Sequence, residues 1–199
     1  MVLGFGKKVE PDPYLIRPVM TERFDLVNCN RAEALKVTLP WASNPEILHN
    51  LMYDQTQYSR LKWATKLGKP DGRHRFVHAI VARDIKGTIG AHRILLDRSG
   101  TVSLAIALTA KSWWGQGVFE EVRAALMDHF SQSPLVERFY GRVITENSSS
   151  IYNYKKLGFR MIGYDLRSWR APSNDELLDT IHFEFLATDW RKKRDLTLL

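Results

Sequence analysis

The chain has 199 residues, 44% of them hydrophobic, enough for one domain with a core of ordinary size, and its single Cys29 excludes an internal disulfide framework or a thiolate zinc site. No apolar run approaches the ~20 residues of a membrane helix, and no signal-peptide block opens the sequence, so a soluble protein of a reducing compartment, the cytoplasm, is expected. With 29 Lys and Arg against 22 Asp and Glu the charge is +7, which suits a polyanionic partner, either a phosphate-bearing coenzyme or a nucleic acid.

In chain order, Met1 to Met20 carries Gly4, Gly6, Pro11, Pro13 and Pro18 without periodicity and reads as an extended arm, with Tyr14, Leu15 and Ile16 as anchors. Arg23 to Asn28 alternates like a first strand. Asn30 caps a helix from Arg31 to Leu39 that Pro40 is expected to stop. Asn44-Pro45-Glu46 opens a second helix over Pro45 to Met52, and a third spans Gln57 to Leu67 before Gly68 and Pro70. Trp41, Tyr53, Tyr58 and Trp63 on this helical stretch either pack together or line a pocket. Phe76 to Ala82 and Thr88 to Leu96 form a hairpin, and Asp97 to Gly100 turns into a strand over Val102 to Leu108.

Ser112-Trp113-Trp114-Gly115-Gln116-Gly117 then leads into a helix whose apolar face is Val118, Val122, Leu126 and Phe130. The first turn of a helix has unpartnered N–H groups and a partial positive charge, so a glycine-lined entry either admits a phosphate or is simply a tight turn. A Walker loop is excluded because Val118 and Phe119 follow the last glycine, and a dinucleotide fingerprint because Glu120 replaces its third glycine. After a loop at Ser131 to Pro134, Phe139 to Thr145 is a strand parallel to Val102 to Leu108 in a βαβ unit. Asn147 caps a short helix, Ser149 to Leu157, which Gly158 ends. Phe159 to Trp169 and Thr180 to Leu186 make an antiparallel pair around a Pro172-Ser173-Asn174 loop, and Trp190 to Arg194 reads as a solvated basic end. The expected division is an arm over 1–20, one domain over 21–190 and a tail over 191–199.

The glycine loop, followed by Asn147-Ser148-Ser149-Ser150 and then Tyr152-Asn153-Tyr154-Lys155-Lys156-Leu157-Gly158-Phe159, resembles the paired motifs of the GNAT acyl-CoA N-acyltransferase superfamily. Thr21-Glu22-Arg23-Phe24-Asp25-Leu26 and Asn44-Pro45-Glu46 are similar to the opening of its RimJ/RimL-type branch. The resemblance implies a mixed α/β fold, a twisted sheet of about six or seven strands with a splayed parallel pair and flanking helices.

It also implies acetyl-CoA or another acyl-CoA as co-substrate, no metal, and a primary amine as acceptor: a protein N-terminus, an amino sugar or a small metabolite. Backbone groups of Ile106, Ala107 and Leu108 would bond the pantetheine arm. Trp113, Trp114, Gly115, Gln116, Gly117 and Val118 would hold the pyrophosphate, and Asn147 would touch the pantetheine. Ser112 stands where the family often has Arg or Gln, so the phosphate contacts expected are those of the backbone. Tyr154 falls at the position of the family's acid, or packs beneath the coenzyme, and Ser150, one turn earlier, shares its face. As general base the sequence offers His92 and Glu146, with His182 a weaker choice, unless desolvation of the amine suffices. The other readings are a nucleic-acid-binding or base-modifying protein of this fold and an acyl-CoA sensor without turnover, acting as a monomer or homodimer.

Overall fold

Strand-length apolar runs need partners for their backbone groups, and here they find them in a single sheet. A computed structural model describes residues 12–196. Its strands are β1 (Val19–Met20), β2 (Phe24–Asn28), β3 (Arg75–Ala82), β4 (Gly87–Leu96), β5 (Thr101–Leu108), β6 (Arg138–Ile144), β7 (Arg160–Arg170) and β8 (Leu177–Leu186). They form an 8-stranded sheet in the order β1-β2-β3-β4-β5-β6-β8-β7. The extra strand over expectation is β1, a short piece of the arm paired with β2 from Val19↔Leu26 to Met20↔Asp25.

Six helices cover the sheet among the described residues: α1 (Arg31–Ala42), α2 (Pro45–Asn50), α3 (Arg60–Leu67), α4 (Val118–Ser131), α5 (Ser148–Leu157) and α6 (Ala187–Arg194). None is long and apolar enough to cross a membrane. Alternation along the strands sends residues to two cores. On the rear face Leu104, Ile106, Phe139 and Phe183 meet Val122, Leu126 and Phe130 of α4. On the front face Val77, Ala79, Ala91 and Ala107 meet the aromatic cluster of α1 and α3. Trp41, Tyr53, Tyr58 and Trp63 are all buried in that cluster, with Tyr53 and Trp63 ring centroids 5.1 Å apart, so their role is packing.

Packing also moves helix ends. α1 runs through Pro40 to Ala42, because Trp41 is fully buried against Trp63 and this outweighs the lost backbone bond. α3 starts at Arg60, where the Ser59 hydroxyl caps the Lys62 N–H, and α2 ends at Asn50. The basic end is no solvated tail: in α6, Trp190 is 2% exposed and donates to Asp128, which also pairs with Arg194 at 2.8 Å. At the other end Leu15 is fully buried and Tyr14 stacks on His129 of α4, so the part of the arm that is described packs on the domain. The rest of the arm and the last three tail positions, 1–11 and 197–199, lie outside the described residues.

Strand parity overturns one expected catalytic group. His92 pairs with Ile106 across β4 and β5, and like Ile106 it points to the rear, beneath α4, where it is fully buried. Burial first, and then the charge of Arg123, hold its imidazole neutral and well below the usual histidine value. Sealed under the helix, His92 cannot take a proton from an amine in an open cleft. His78, two strands from the fork and equally buried, is pushed down to about 3 by the same desolvation.

These histidines set a pH dependence. The unfolded chain protonates them near pH 6.5 while the folded chain keeps them neutral, so stability is full above pH 6.5 and falls as the pH drops toward about 3. Each contributes a slope of up to about 1.4 kcal/mol per pH unit. Urea unfolding from about pH 7 to about pH 5 is expected to show this decline, and His92→Leu to reduce its slope by up to one proton.

Candidate functional site

The parallel ladder between β5 and β6 pairs Thr101↔Arg138, Val102↔Phe139 and Ser103↔Tyr140 and goes no further. Beyond it the strands diverge, and one side chain fills the base of the fork. α5 is fixed at its start by Asn147, whose side chain accepts from the Ser150 N–H at 3.0 Å. One turn on, the Tyr154 ring enters the fork, stacks on Phe183 at 5.0 Å and meets Phe159 edge-on at 4.9 Å. Its hydroxyl reaches the Leu104 carbonyl at 3.4 Å, and the residue is 3% exposed. The Arg123 guanidinium covers the ring at 4.3 Å. Gly141 on β6 makes room for it, because a Cβ there would overlap the tyrosine ring. Tyr154 is therefore a wedge first.

Above the wedge, the free edge of β5 is available. The carbonyls of Leu104 and Leu108 both face the fork, bonded to Tyr154 and to the Trp114 indole at 3.4 Å respectively. The two-residue alternation of a strand turns the N–H and C=O of Ile106 the same way. Ala107, which the resemblance grouped with its neighbours, turns its backbone toward Ala91 of β4 and offers only its methyl group.

At the top of this edge, a short 3-10 turn at Lys111–Trp113 leads to the glycine loop. Gly115 and Gly117 both take φ 74, a left-handed conformation that a side chain disfavours, and nothing lies within 4 Å of a Cβ at Gly115. Among the described residues, no backbone N–H from Gly115 through Glu120 donates to another protein group. Arg23 of the β1–β2 turn secures the loop from behind, bonding the Gln116 carbonyl at 3.0 Å and the Glu121 carboxylate at 2.7 Å. Burial pushes the Glu121 carboxyl up, but hydrogen bonds from Thr21 and Arg23 outweigh this and hold it below its ordinary value. Lys156 likewise pairs with Glu120, so both acids of the first helical turn are compensated. The Gln116 side chain folds back on the Ser112 carbonyl, and Trp113 packs edge-on against Phe24 at 5.5 Å. These two side chains brace the loop.

Loop and fork open into one cleft of about 660 Å³. Ile47, Asn50 and Leu51 of the α2 segment form one wall, Ile106 to Leu108 the floor, and Asn147 to Ser150 the opposite wall. Ser150 thus faces the cleft from which Tyr154 is hidden. Glu146, at the end of β6, is met by His49 of α2 at 3.3 Å, with Trp169 edge-on to that imidazole at 5.3 Å. Sequence reading missed His49, Arg23 and Lys156, whose partners lie far away in the chain.

Among the described residues no group of three or more His, Cys, Asp or Glu could hold a metal ion. A family model, the acetyltransferase (GNAT) domain, matches residues 16–160. The chain belongs to the GNAT family. It is an N-acetyltransferase that uses acetyl-CoA. Solved structures share the fold at low identity. The spermidine N-acetyltransferase of Vibrio cholerae, in complex with CoA and spermine, has a TM-score of 0.74 at 15% identity, covering 85% of this chain and 99% of that one. A ribosomal-protein-S5-alanine acetyltransferase from Vibrio fischeri has a TM-score of 0.68 at 14% identity, covering 87% and 98%. An acetyltransferase of Salmonella typhimurium that modifies the N-terminal serine of ribosomal protein L7/L12 has a TM-score of 0.68 at 13% identity, covering 85% and 99%. No curated protein matches the sequence.

The free N–H groups and bare glycines of this GNAT loop fit a pyrophosphate, and the open edge at Ile106 fits an amide-bearing arm. Two substitutions test this. Gly117→Glu is expected to abolish acetyl-CoA binding by isothermal titration, by filling the cradle and repelling phosphate, while costing about 1 kcal/mol of stability through the left-handed backbone. Gly141→Ala is expected to cost more than ~2 kcal/mol in urea unfolding, because the displaced Tyr154 ring has no empty space beside it.

Proposed function

We propose that the protein acetylates a primary amine by direct attack on the thioester, with both substrates in the fork together. The observation that supports this most is the open β5 edge leading, through the Lys111–Trp113 turn, to the free N–H cradle. The one cysteine is remote from it: Cys29 is 4% exposed and belongs to the front core beside α1. A covalent cysteine intermediate therefore has no thiol in the cleft.

In this reading the Ile106 backbone pairs with the pantetheine amides, and the N–H groups from Gly115 to Glu120 hold the pyrophosphate. Bound acetyl-CoA supplies an activated acyl carbon. Since the departing thiol has a pKa near ~8.5, a weak acid suffices, and Ser150 on the cleft wall is placed to donate to it. Tyr154 is the second donor, once its hydroxyl swings from the Leu104 carbonyl toward the sulfur. Glu146, bridged to His49, stands at the mouth, where it attracts a cationic amine.

As acceptors we favour the classes named for the similar structures, a polyamine and a protein N-terminus, which fits the RimJ/RimL-type motifs near Thr21 and Asn44. The single buried cysteine suits a cytoplasmic setting. The nucleic-acid reading loses ground because many cations are engaged: Arg23, Arg83, Arg138, Arg160 and Arg194 all pair with carboxylates. Thiol release from acetyl-CoA should be measured against spermidine, peptides beginning with Ser or Ala, and amino sugars. Turnover on at least one class is expected, and none on any would contradict the proposal. Ser150→Ala is expected to lower kcat roughly tenfold or more with acetyl-CoA affinity unchanged.

A further inference from the structure

On the front face of the fork stands a hydrogen-bonded chain that the reading above does not use. Tyr140 of β6 is the last residue to pair with β5, opposite Ser103. Its neighbours Phe139, Gly141 and Val143 face the rear, toward α4 and Tyr154, so parity sends the Tyr140 ring to the front. There its hydroxyl bonds Nδ1 of His182 on β8, and Nε2 of His182 bonds the Asp165 carboxylate of β7 at 2.7 Å. Gly163 of β7 is directly paired with His182, so the imidazole lies between β6 and β7. The three residues come from adjacent strands.

With Nε2–H donating to the carboxylate, Nδ1 is left as an acceptor and the phenol must donate to it. Among the described residues no other group uses the lone pairs of the Tyr140 oxygen, which lies on the face of the sheet that also carries Ala107 of the cleft floor. Exposure grades along the chain: Tyr140 is half-buried, His182 has 18% of its side chain exposed, and Asp165 has 52%. The outer end of the chain is therefore in water.

The groups facing Tyr140 are Arg138 and Arg142 on its own strand, His182 and Glu184 on β8 and Asp165 on β7, while Tyr154 on α5 acts on it from the opposite side of the sheet. Of these Arg138 is paired with Glu184, and Arg142 donates to Thr180. Burial first pushes the Tyr140 phenol above its usual value, Arg142 opposes, and the balance keeps it protonated at neutral pH. It acts as a relay.

We propose that Tyr140, His182 and Asp165 form the proton relay that deprotonates the acceptor amine, with Tyr140 touching the amine and His182 and Asp165 as positioning residues. The proposal rests on the transferase reading above. The amine's ammonium gives a proton to the Tyr140 oxygen as Tyr140 passes its own to His182 Nδ1. This frees the nitrogen lone pair to form the new C–N bond, while the imidazolium is balanced by Asp165. As the C–S bond breaks, the thiolate takes the proton that the acylated nitrogen sheds. After the product leaves, water entering the cleft takes the Tyr140 proton as His182 Nδ1 returns its own to the phenol, which restores the neutral Nε2–H tautomer.

The test is the pH dependence of kcat/KM for spermidine or the Ser peptide, whichever turns over, at saturating acetyl-CoA. Tyr140→Phe is expected to lower it ~100-fold near about pH 7. The deficit should shrink below about 10-fold near about pH 9.5, where solvent has begun to deprotonate the amine. The KM for acetyl-CoA and the thermal midpoint should stay unchanged. Asp165→Asn should have a smaller effect of the same shape, and ¹⁵N NMR should show His182 in the Nε2–H tautomer only while Asp165 is intact. Wild-type activity in Tyr140→Phe, or an equal loss at both pH values, overturns the relay while leaving the transferase standing. A wild-type protein that releases no thiol brings down both.

Discussion

Everything in the site depends on a parallel ladder that stops after Ser103↔Tyr140. Strand edges left inside a protein need partners for their N–H and C=O groups, so an unfinished ladder is costly unless something completes it. Here the completion is partial. The Tyr154 hydroxyl takes the Leu104 carbonyl and the Trp114 indole takes that of Leu108, while the Ile106 groups between them keep their capacity for a guest. The wedge that holds the strands apart is itself well supported, by the stack on Phe183, the edge contact with Phe159 and the space left by Gly141. Such aromatic contacts are worth about 1 kcal/mol each beyond burial, which is enough to keep the fork from closing by continued pairing.

The glycine loop is subject to a second constraint. A helix start attracts acids as well as phosphates, and α4 has Glu120 and Glu121 in its first turn. Left free, they would repel a coenzyme. Arg23 and Lys156 draw both carboxylates into ion pairs, and Arg23 holds the Gln116 carbonyl as well, so the loop presents its N–H groups. The β1–β2 turn is thus coupled to the glycine loop by one side chain.

The two faces of the sheet divide the chemistry. To the rear, under α4, the imidazoles of His78 and His92 are stripped of water and kept neutral, His92 also by the charge of Arg123, which suits a packed interior and not proton transfer. To the front, Tyr140 and His182 lie half-buried among bonded charges, where a proton is both held and exchanged. A shift of one position along β4 or β6 would exchange these environments, since strand neighbours face opposite ways.

What the sequence determined by itself was local. Turn glycines ahead of an amphipathic helix, the Asn147 cap and the order of strands and helices follow from contacts within a few residues, so the glycine loop, the α5 start and the βαβ unit were all legible. What required the tertiary structure was everything fixed by partners distant in the chain. Trp41 and Trp63 carry α1 through Pro40, Asp128 draws the basic end into α6, and His49 meets Glu146 across the cleft. Most of all, no local pattern says which face of a strand a helix will cover. That choice buried His92, hid Tyr154 in the fork and set Tyr140 on the open side, because burial is a property of packed layers and a strand by itself only alternates.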